Sequence, residues 1–291
     1  MLLVLKASVA ALLFAIGLHA SPGDLGYLWR RPALLARSLL VMYVAVPILA
    51  VAMARTLDLP RGTELAIVIL AICAGAPLLP RKLLKLGGDP AYVLSLVVTT
   101  SLLAIVTVPF SLRLLAGVVS FDTELGPGAV ARAILTSFLL PLGSGMLVRA
   151  LLPGLAARAA DPLLGVAGGT LAVISIVLLV AGWRLVAEVG MPSLLAFGAF
   201  ALGSLALGHL FGGPAPETRT ALAVACTTRH VGLALLVGAN ARGPRTLSLV
   251  AGYVVATALI SLPYIRWRRP AVPDRTAKGP AQTDARSAAG T

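Results

Sequence analysis

The stretches Cys73-Ala-Gly-Ala-Pro77 and Cys226-Thr-Thr-Arg-His230 interrupt two long apolar segments of this chain. Their cysteines are 153 residues apart, and each cysteine is followed 21 residues later by the same tetrapeptide, Leu-Ser-Leu-Val. A proline then follows each tetrapeptide at nearly the same distance, at Pro109 and Pro263. Self-similarity at a fixed offset marks repeated architecture, so this pattern predicts that the chain contains two related halves.

The composition of the chain is that of a membrane protein. Of its 291 residues, 58% are hydrophobic and only 12% are charged, and the mean hydropathy is +0.96. Soluble domains carry about 25% charged residues, so this chain lacks the polar side chains that would cover a water-soluble globule. In a bilayer only helices and closed barrels satisfy the backbone, and long unalternating apolar runs do not match barrel strands. We therefore predict an all-α polytopic membrane protein.

Nine apolar segments are long enough to cross a bilayer, since a transmembrane helix needs about 20 residues within a range of about 17–25. These segments are residues 2–19, 35–54, 63–86, 91–117, 128–151, 163–182, 192–211, 218–240 and 245–265. We interpret the first as a retained span and not a cleaved signal peptide, because Lys6 lies inside the apolar run. Residues 1–266 form the predicted transmembrane domain, and residues 267–291 form a predicted disordered, basic cytoplasmic tail.

The offset of the repeat sets the relative direction of its two halves. It spans five of the nine segments, and five is odd, so the second half crosses the membrane in the opposite direction from the first. Segments one to four then match segments six to nine, and segment five has no counterpart. Interrupted helices in an inverted repeat place a binding site near the membrane midplane of a transporter.

The net charge of +13 comes from basic residues in the loops and the tail. With the N-terminus outside, twelve of these residues lie inside and eight outside, in the sense of the positive-inside rule. The inner residues are Arg30, Arg31, Arg37, Arg81, Lys82, Lys85, Arg149, Arg158, Arg219, Arg266, Arg268 and Arg269. The sequence shows no nucleic-acid-binding motif. We predict a multi-pass protein of the inner cell membrane, in contact with the lipid bilayer and not with nucleic acid.

The first interruption combines glycine with two prolines. Proline lacks a backbone donor and clashes with the preceding turn, so Pro77 and Pro80 predict a broken helix whose freed carbonyls need protein or water. A simple proline kink with a packing role is the alternative. The two cysteines, Cys73 and Cys226, are predicted to behave as small buried hydrophobic residues that approach each other if the two interruptions meet.

The second interruption carries a positive charge. Arg229 lies near the centre of its span, where an arginine costs about 2.5–3.5 kcal/mol on the insertion scale. No carboxylate lies at the middle of any predicted span. Two partners remain open for the guanidinium: backbone carbonyls and water, or a bound anion.

Several neutral polar residues accompany this charge. His230 is either a hydrogen-bonded structural group or a proton relay. Ser95 and Thr99 share one helix face, where they either bond neighbouring helices or line a polar site. The residues predicted to bind a substrate are Gly75, Pro77, Ser95, Thr99, Thr227, Thr228, Arg229 and His230.

These features together resemble the bile acid:sodium symporter family. The resemblance is carried by ordered, spaced matches at Leu13-Phe-Ala-Ile-Gly-Leu18, Asp24, Arg31-Pro32, Pro47, Cys73-Ala-Gly, Leu86-Gly-Gly-Asp89, Leu94-Ser95 and Val231-Gly-Leu-Ala234. The resemblance implies ten spans in an inverted repeat, or nine when the first is absent. It also implies a core bundle with two crossed, broken helices (about 35–117 and 192–265) beside a panel bundle (about 2–19 and 128–182). The resemblance further implies that the substrates are organic anions.

The chain departs from the family at the residues that the resemblance assigns to sodium. The apolar or basic side chains at those positions are Met42, Leu79, Pro80, Ala225, Arg229 and His230, and only the Ser95 and Thr99 pair persists. Sodium prefers several oxygen ligands, including a carboxylate, by the logic of hard cations. We therefore predict that sodium coupling is weakened or lost, and that the Arg229 guanidinium stands where a sodium ion would bind.

The sequence thus favours a secondary transporter of a small organic anion that works by alternating access. A membrane sensor or scaffold that keeps the fold without transport is the alternative, and efflux remains open beside uptake. An enzyme is not predicted, because the sequence offers no metal-ligand cluster and no nucleophile with its base. No cofactor or metal is predicted.

Overall fold

The computed structural model describes residues 2–75, 89–115, 126–181, 183–240 and 246–268, and the regular structure in them is helical. The predictions for Pro77, Leu79 and Pro80, and for the tail beyond residue 268, lie outside these residues. The helices, in order, are α1 (Leu2–His19), α2 (Pro22–Leu25), α3 (Pro32–Thr56), α4 (Arg61–Ile72), α5 (Pro90–Leu115), α6 (Pro127–Leu151), α7 (Pro153–Ala181), α8 (Trp183–Ala187), α9 (Met191–Phe211), α10 (Pro216–Thr227), α11 (Val231–Asn240) and α12 (Thr246–Arg268).

Proline sets where many of these helices begin. Six of them start with a proline, namely α2, α3, α5, α6, α7 and α10. The fixed φ of proline suits the first helical position, and its missing N–H would have no partner there in any case. Helix α7 therefore begins at Pro153, ten residues before the predicted segment 163–182.

Two prolines inside helices are accommodated by π turns. Helix α3 contains a π turn at Val41–Ala45, and one residue separates this turn from Pro47. Helix α6 repeats the arrangement with a π turn at Leu135–Leu139 before Pro141. A proline clashes with the carbonyl four residues earlier, which in both helices lies within the π turn. The wider turn relieves that clash and leaves each helix continuous.

Six helical segments are long and apolar enough to cross a membrane, counted over the described residues. They are Pro32–Thr56, Pro90–Leu115, Pro127–Leu151, Met191–Phe211, Pro216–Gly238 and Leu247–Arg268. The segment Pro216–Gly238 contains α10 and most of α11. The apolar part of α1 is shorter, at Lys6–His19. A helix overlaps each of the nine predicted segments, but the count of nine spans and the inverted repeat remain predictions.

The outer faces of these helices are apolar. On α9, Leu195, Leu202 and Leu210 are exposed at intervals of seven and eight residues, and Leu210 is 74% exposed. On α5, Phe110 is 65% exposed. Soluble monomers rarely expose apolar patches of this extent, whereas the hydrocarbon of a bilayer solvates them. The fold is therefore that of a multi-pass membrane protein.

The helices pack around one continuous apolar core. Helix α1 lies against α6 and α7, α9 lies against α10 and α12, and α5 lies against α6. Pairs of buried hydroxyls also join helices. Thr63 Oγ1 of α4 hydrogen-bonds to Ser193 Oγ of α9 at 2.7 Å, and Ser38 Oγ of α3 to Tyr92 Oη of α5 at 3.0 Å. The division of the helices into a panel and a core bundle, and the movement of these bundles, remain predictions.

Two glycines let α1 and α6 touch. Gly17 and Gly145 face each other, and a Cβ added at Gly17 would lie 3.0 Å from the Cα of Gly145. The same Cβ would overlap the carbonyl oxygen of Leu142, and a Cβ at Gly145 would overlap the carbonyl oxygen of Phe14. Small residues allow close backbone approach between helices in lipid.

Replacing Gly145 with alanine should force these two backbones apart. We expect Gly145→Ala to lower stability by about 1–3 kcal/mol, the usual effect of overpacking, measured as the thermal unfolding midpoint in detergent. Gly143→Ala on the same helix is the control, because a Cβ there meets nothing within 4 Å. Equal midpoints for the two variants would contradict the contact.

Candidate functional site

The two sequence interruptions lie at the ends of helices, and they touch each other. Helix α4 ends at Ile72, and residues 73–75 are not helical. Residues 228–230 separate α10 from α11 and are not helical either. The N–H of His230 donates a hydrogen bond to the carbonyl of Cys73 at 3.0 Å. We call this contact the crossing, defined by residues 71–75 and 227–231.

The sequence explains why the carbonyl of Cys73 is free. In a continuous α-helix this carbonyl would accept a bond from the N–H of residue 77. Residue 77 is proline, which has no N–H. The second break supplies the missing donor from His230, a bond that satisfies both groups inside the protein. Helix α4 ends sooner than the predicted segment 63–86, and the break begins before the prolines themselves.

Gly75 shapes the first break. Its φ is +85°, a left-handed conformation that costs other residues roughly 1–2 kcal/mol. A Cβ there would lie 2.8 Å from Thr100 Oγ1 and 3.1 Å from the backbone nitrogen of Ser101. The backbone of the break therefore packs directly on α5, and glycine alone fits both the conformation and the space.

The side chain of Arg229 is enclosed in the crossing. It is only 2% exposed. Its Nη1 donates a long hydrogen bond, 3.5 Å, to the carbonyl of Ala71, which belongs to the last turn of α4 and has lost its helical partner. Its Nε and Nη2 make no hydrogen bond with the described residues. One arm of the guanidinium thus binds a freed carbonyl, as one of the two sequence alternatives predicted, and the other two nitrogens have no acceptor among the described residues.

The surroundings of Arg229 carry no opposite charge among the residues the structure describes. Among all the described residues, the single ion pair joins His19 to Asp161, on α1 and α7, and it does not involve Arg229. The thiols of Cys73 and Cys226 lie within electrostatic range of the guanidinium. Both cysteines are buried free thiols in the main apolar core, as predicted.

Tyr253 of α12 hydrogen-bonds to the end of α10, next to the second break. Its hydroxyl lies beside Arg229 and donates its proton to the carbonyl of Thr227 at 2.5 Å. The ring of Tyr253 also packs edge-to-face on Phe197 and at a tilt on Phe200 of α9, with ring centroids 6.0 Å away in both cases. Sequence analysis missed this residue, since a single tyrosine in an apolar span carries no signal of its own.

His230 immediately precedes helix α11. Its Nδ1 accepts a hydrogen bond from the N–H of Leu233 at 3.1 Å, so the ring proton resides on Nε2. Its own carbonyl accepts from the N–H of Ala234 at 2.9 Å. The ring is 4% exposed, and its Nε2 has no partner among the described residues. The structure thus gives His230 the role of a helix cap, and the proton-relay role remains a prediction.

The neighbouring threonines differ from each other. Thr227 Oγ1 donates to the carbonyl of Ala223 at 2.9 Å, within its own helix. Thr228 Oγ1 is buried without a partner among the described residues, as is Ser101 Oγ on α5. The crossing therefore contains unpaired hydroxyl and N–H donors on consecutive residues 228, 229 and 230. Buried polar groups normally find a partner, and no described residue supplies an acceptor to these three.

Ser95 and Thr99 form hydrogen bonds with residues 25–29, and not with the crossing. Ser95 Oγ donates to the carbonyl of Leu25 at 2.7 Å and accepts from the N–H of Leu28 at 3.0 Å. Thr99 Oγ1 accepts from the indole Nε1 of Trp29 at 3.2 Å. This pair fastens the segment after α2 to α5, which is the structural alternative of the sequence analysis. Their part in substrate binding remains a prediction.

The positions that the resemblance assigns to sodium offer little to a cation. Met42 and Ala225 are fully buried in the apolar core. Arg229 and His230 present N–H groups. In the described residues no group of three or more His, Cys, Asp or Glu side chains could hold a metal ion. The described part of this site is rich in hydrogen-bond donors and carries the positive charge of Arg229.

Comparison with known proteins identifies the family. A helical, multi-pass membrane protein with two interrupted helices in contact has the general plan of a secondary transporter. The model of the sodium bile acid symporter family matches residues 8–189, more than half of the chain, and the chain belongs to that family. The matched range includes the first break and ends before the second. No curated protein sequence matches the chain.

Gly75→Ala tests the backbone of the first break. We expect a loss of roughly 1–2 kcal/mol from the left-handed conformation, increased by the contact with Thr100, seen as a lower unfolding midpoint in detergent. Gly198→Ala in α9 is the control, since a Cβ there meets nothing within 4 Å. An unchanged midpoint for Gly75→Ala would show that the break is not held against α5.

Two substitutions of His230 test its capping role. Asparagine is a favoured helix cap, whereas leucine offers no acceptor for the N–H of Leu233. We expect His230→Leu to lose about 1 kcal/mol relative to His230→Asn, measured by thermal unfolding. If the two variants were equally stable, the cap would contribute nothing.

Proposed function

We propose that this protein is a secondary transporter of a small organic anion, that it works by alternating access, and that its coupling to sodium is weakened or lost. The observation that carries the proposal is the buried Arg229 at the crossing, with two unpaired N–H groups and no carboxylate partner among the described residues. Membership of the sodium bile acid symporter family supports the transport of an organic anion.

The geometry of Arg229 favours an anionic ligand. Its Nε and Nη2 form one edge of the planar guanidinium, the edge that binds carboxylate or sulfate oxygens in pairs. The unpaired Nε2–H of His230 and the hydroxyl of Thr228 belong to the neighbouring residues in the chain. An anion bound at this edge would neutralise a charge that is costly to bury. The substrate class we propose is therefore a carboxylate or sulfate carried on an apolar body.

The same charge opposes sodium. Two positive charges about 4 Å apart repel each other by about 4 kcal/mol at the effective dielectric constant of a protein, about 20. Sodium also needs oxygen ligands, and the carbonyls of Ala71 and Cys73 are already bonded to Arg229 and His230. A fixed guanidinium cannot be transported, so it supplies no driving force. Facilitated diffusion, exchange, or proton coupling through His230 would replace sodium symport.

The architecture we propose for this activity follows the inverted repeat. Nine spans across the inner membrane place the N-terminus outside the cell membrane and the C-terminus in the cytoplasm. The helices packed around α1 form the panel, and those packed around α9 form the core that carries the crossing. Alternating access then moves the core against the panel. We propose no enzymatic activity.

Uptake into reconstituted vesicles tests sodium coupling. We expect uptake of a bound anion to proceed at a similar rate with an inward sodium gradient and with potassium in its place. Strong dependence on sodium would overturn this part of the proposal. Ligand binding without any flux would instead favour the alternative function, a membrane sensor or scaffold that retains the fold.

Ligand binding tests the role of Arg229. A thermal-shift screen of carboxylates, sulfates and sterols on the purified protein identifies the anion, and Arg229→Gln should weaken its binding at least tenfold. A hydrogen bond to a charged group contributes about 1.5–3 kcal/mol, which corresponds to such a change. Arg132→Gln, an exposed arginine on α6, is the control. Because Arg229 is buried, elution as a single species confirms folding of the variant; unchanged binding would reduce Arg229 to a structural group.

A further inference from the structure

A second positively charged site lies away from the crossing. A cavity of about 320 Å³ separates the start of α3 from the turn that joins α9 to α10. Its lining includes Arg31 and Arg37 on one side and Gly213, Pro214 and Ala215 on the other. None of its lining residues belongs to the two breaks, and none is acidic.

The two lining arginines are placed without carboxylate partners. The guanidinium of Arg31 lies over the ring of Tyr27, 4.1 Å from its centroid, and donates to the hydroxyl of the same tyrosine. Arg37 Nη1 lies against Gly213, within 3.4 Å of where a Cβ would be. Neither forms an ion pair with a described residue. Both charges therefore remain available to an anion in the cavity.

Further cations stand behind this pair. Arg219 donates from Nε and Nη2 to the carbonyl of Gly213, at 3.0 and 2.8 Å. Arg268 donates to Thr220 Oγ1 at 3.1 Å and to the carbonyl of Pro216 at 3.3 Å. These two arginines hold the turn in place and add their charges to the field. The acidic residue nearest along this segment, Glu217, does not line the cavity.

Two helix N-termini meet at the cavity. Helix α3 starts at Pro32 and α10 at Pro216, and neither has a side-chain cap. The N-terminal ends of helices carry partial positive charge and unpaired N–H groups. These ends add to the attraction that the arginines exert on an anion, and backbone amides suit phosphate oxygens.

Exposed aromatic and apolar residues place this cavity at the depth of lipid headgroups. Trp29 and Trp267 are 62% and 64% exposed, and tryptophan is enriched at the membrane interface. Below Arg37 on α3, exposed apolar side chains continue at helical spacing toward the other end of the helix: Leu40, Val44 and Ile48. An anion in the cavity would thus have a lipid-facing apolar surface directly beneath it.

We propose that the cavity binds the phosphate group of an anionic phospholipid, whose acyl chains lie along the exposed face of α3. Arginine clusters between membrane helices on the cytoplasmic side bind such headgroups. The apolar surface below the cavity favours a lipid over a soluble phosphate, which would gain nothing from it. The site does not depend on the transport proposal.

Native mass spectrometry of the full-length protein tests this site. We expect phosphatidylglycerol to bind more tightly than phosphatidylcholine with the same acyl chains. Arg37→Gln should weaken phosphatidylglycerol binding about fivefold, the equivalent of about 1 kcal/mol. Arg55→Gln, an exposed arginine at the other end of the same helix, should leave it unchanged. Because Arg37 is exposed, the variant should unfold at the wild-type temperature.

Three outcomes would overturn the proposal. Equal binding of the two lipids would remove the need for a charged headgroup. Equal loss in the Arg37→Gln and Arg55→Gln variants would show a diffuse charge effect and not a site. Displacement of the lipid by inorganic phosphate, with the same dependence on Arg37, would assign the cavity to a soluble anion.

Discussion

The fold depends on one constraint: a helix interrupted inside a bilayer must have its freed backbone groups satisfied by other parts of the protein. Here the two interruptions satisfy each other. The N–H of His230 donates to the carbonyl of Cys73, which Pro77 lacks the N–H to bond. Arg229 donates to the carbonyl of Ala71, two residues earlier. Neither break would be stable alone in lipid. The contact of Gly75 with α5 and the bond from Tyr253 to Thr227 then hold the pair in position.

This constraint also explains how a buried arginine is tolerated. A guanidinium in an unbroken apolar helix would meet no acceptor, whereas the end of α4 offers free carbonyls beside it. The acceptors are too few for all its N–H groups, so Nε and Nη2 remain unpaired among the described residues. The crossing is thus stable enough to form and still incomplete, which is the property a binding site needs.

The molecule therefore uses arginine in two physically different ways. At the crossing, one arginine is buried at low dielectric, where geometry and a few hydrogen bonds decide what binds. At the N-terminal end of α3, several arginines are exposed or half-exposed, and their summed field acts together with two helix ends. Under the proposed function, the first arrangement would select a ligand by shape and charge. The second suits a headgroup at the membrane interface, where water and salt weaken each single pair.

The sequence alone determined the class of protein, the breaks and most helix boundaries. Composition excludes a soluble globule, and proline and glycine act on the local backbone, so their effects can be read without knowing the fold. The tertiary structure decided the roles of polar side chains. In the tertiary structure, Ser95 and Thr99 hydrogen-bond to residues 25–29, and His230 caps the start of α11. Tyr253 donates to the carbonyl of Thr227. These pairings join residues far apart in the chain, and hydrophobic periodicity carries no information about such distances.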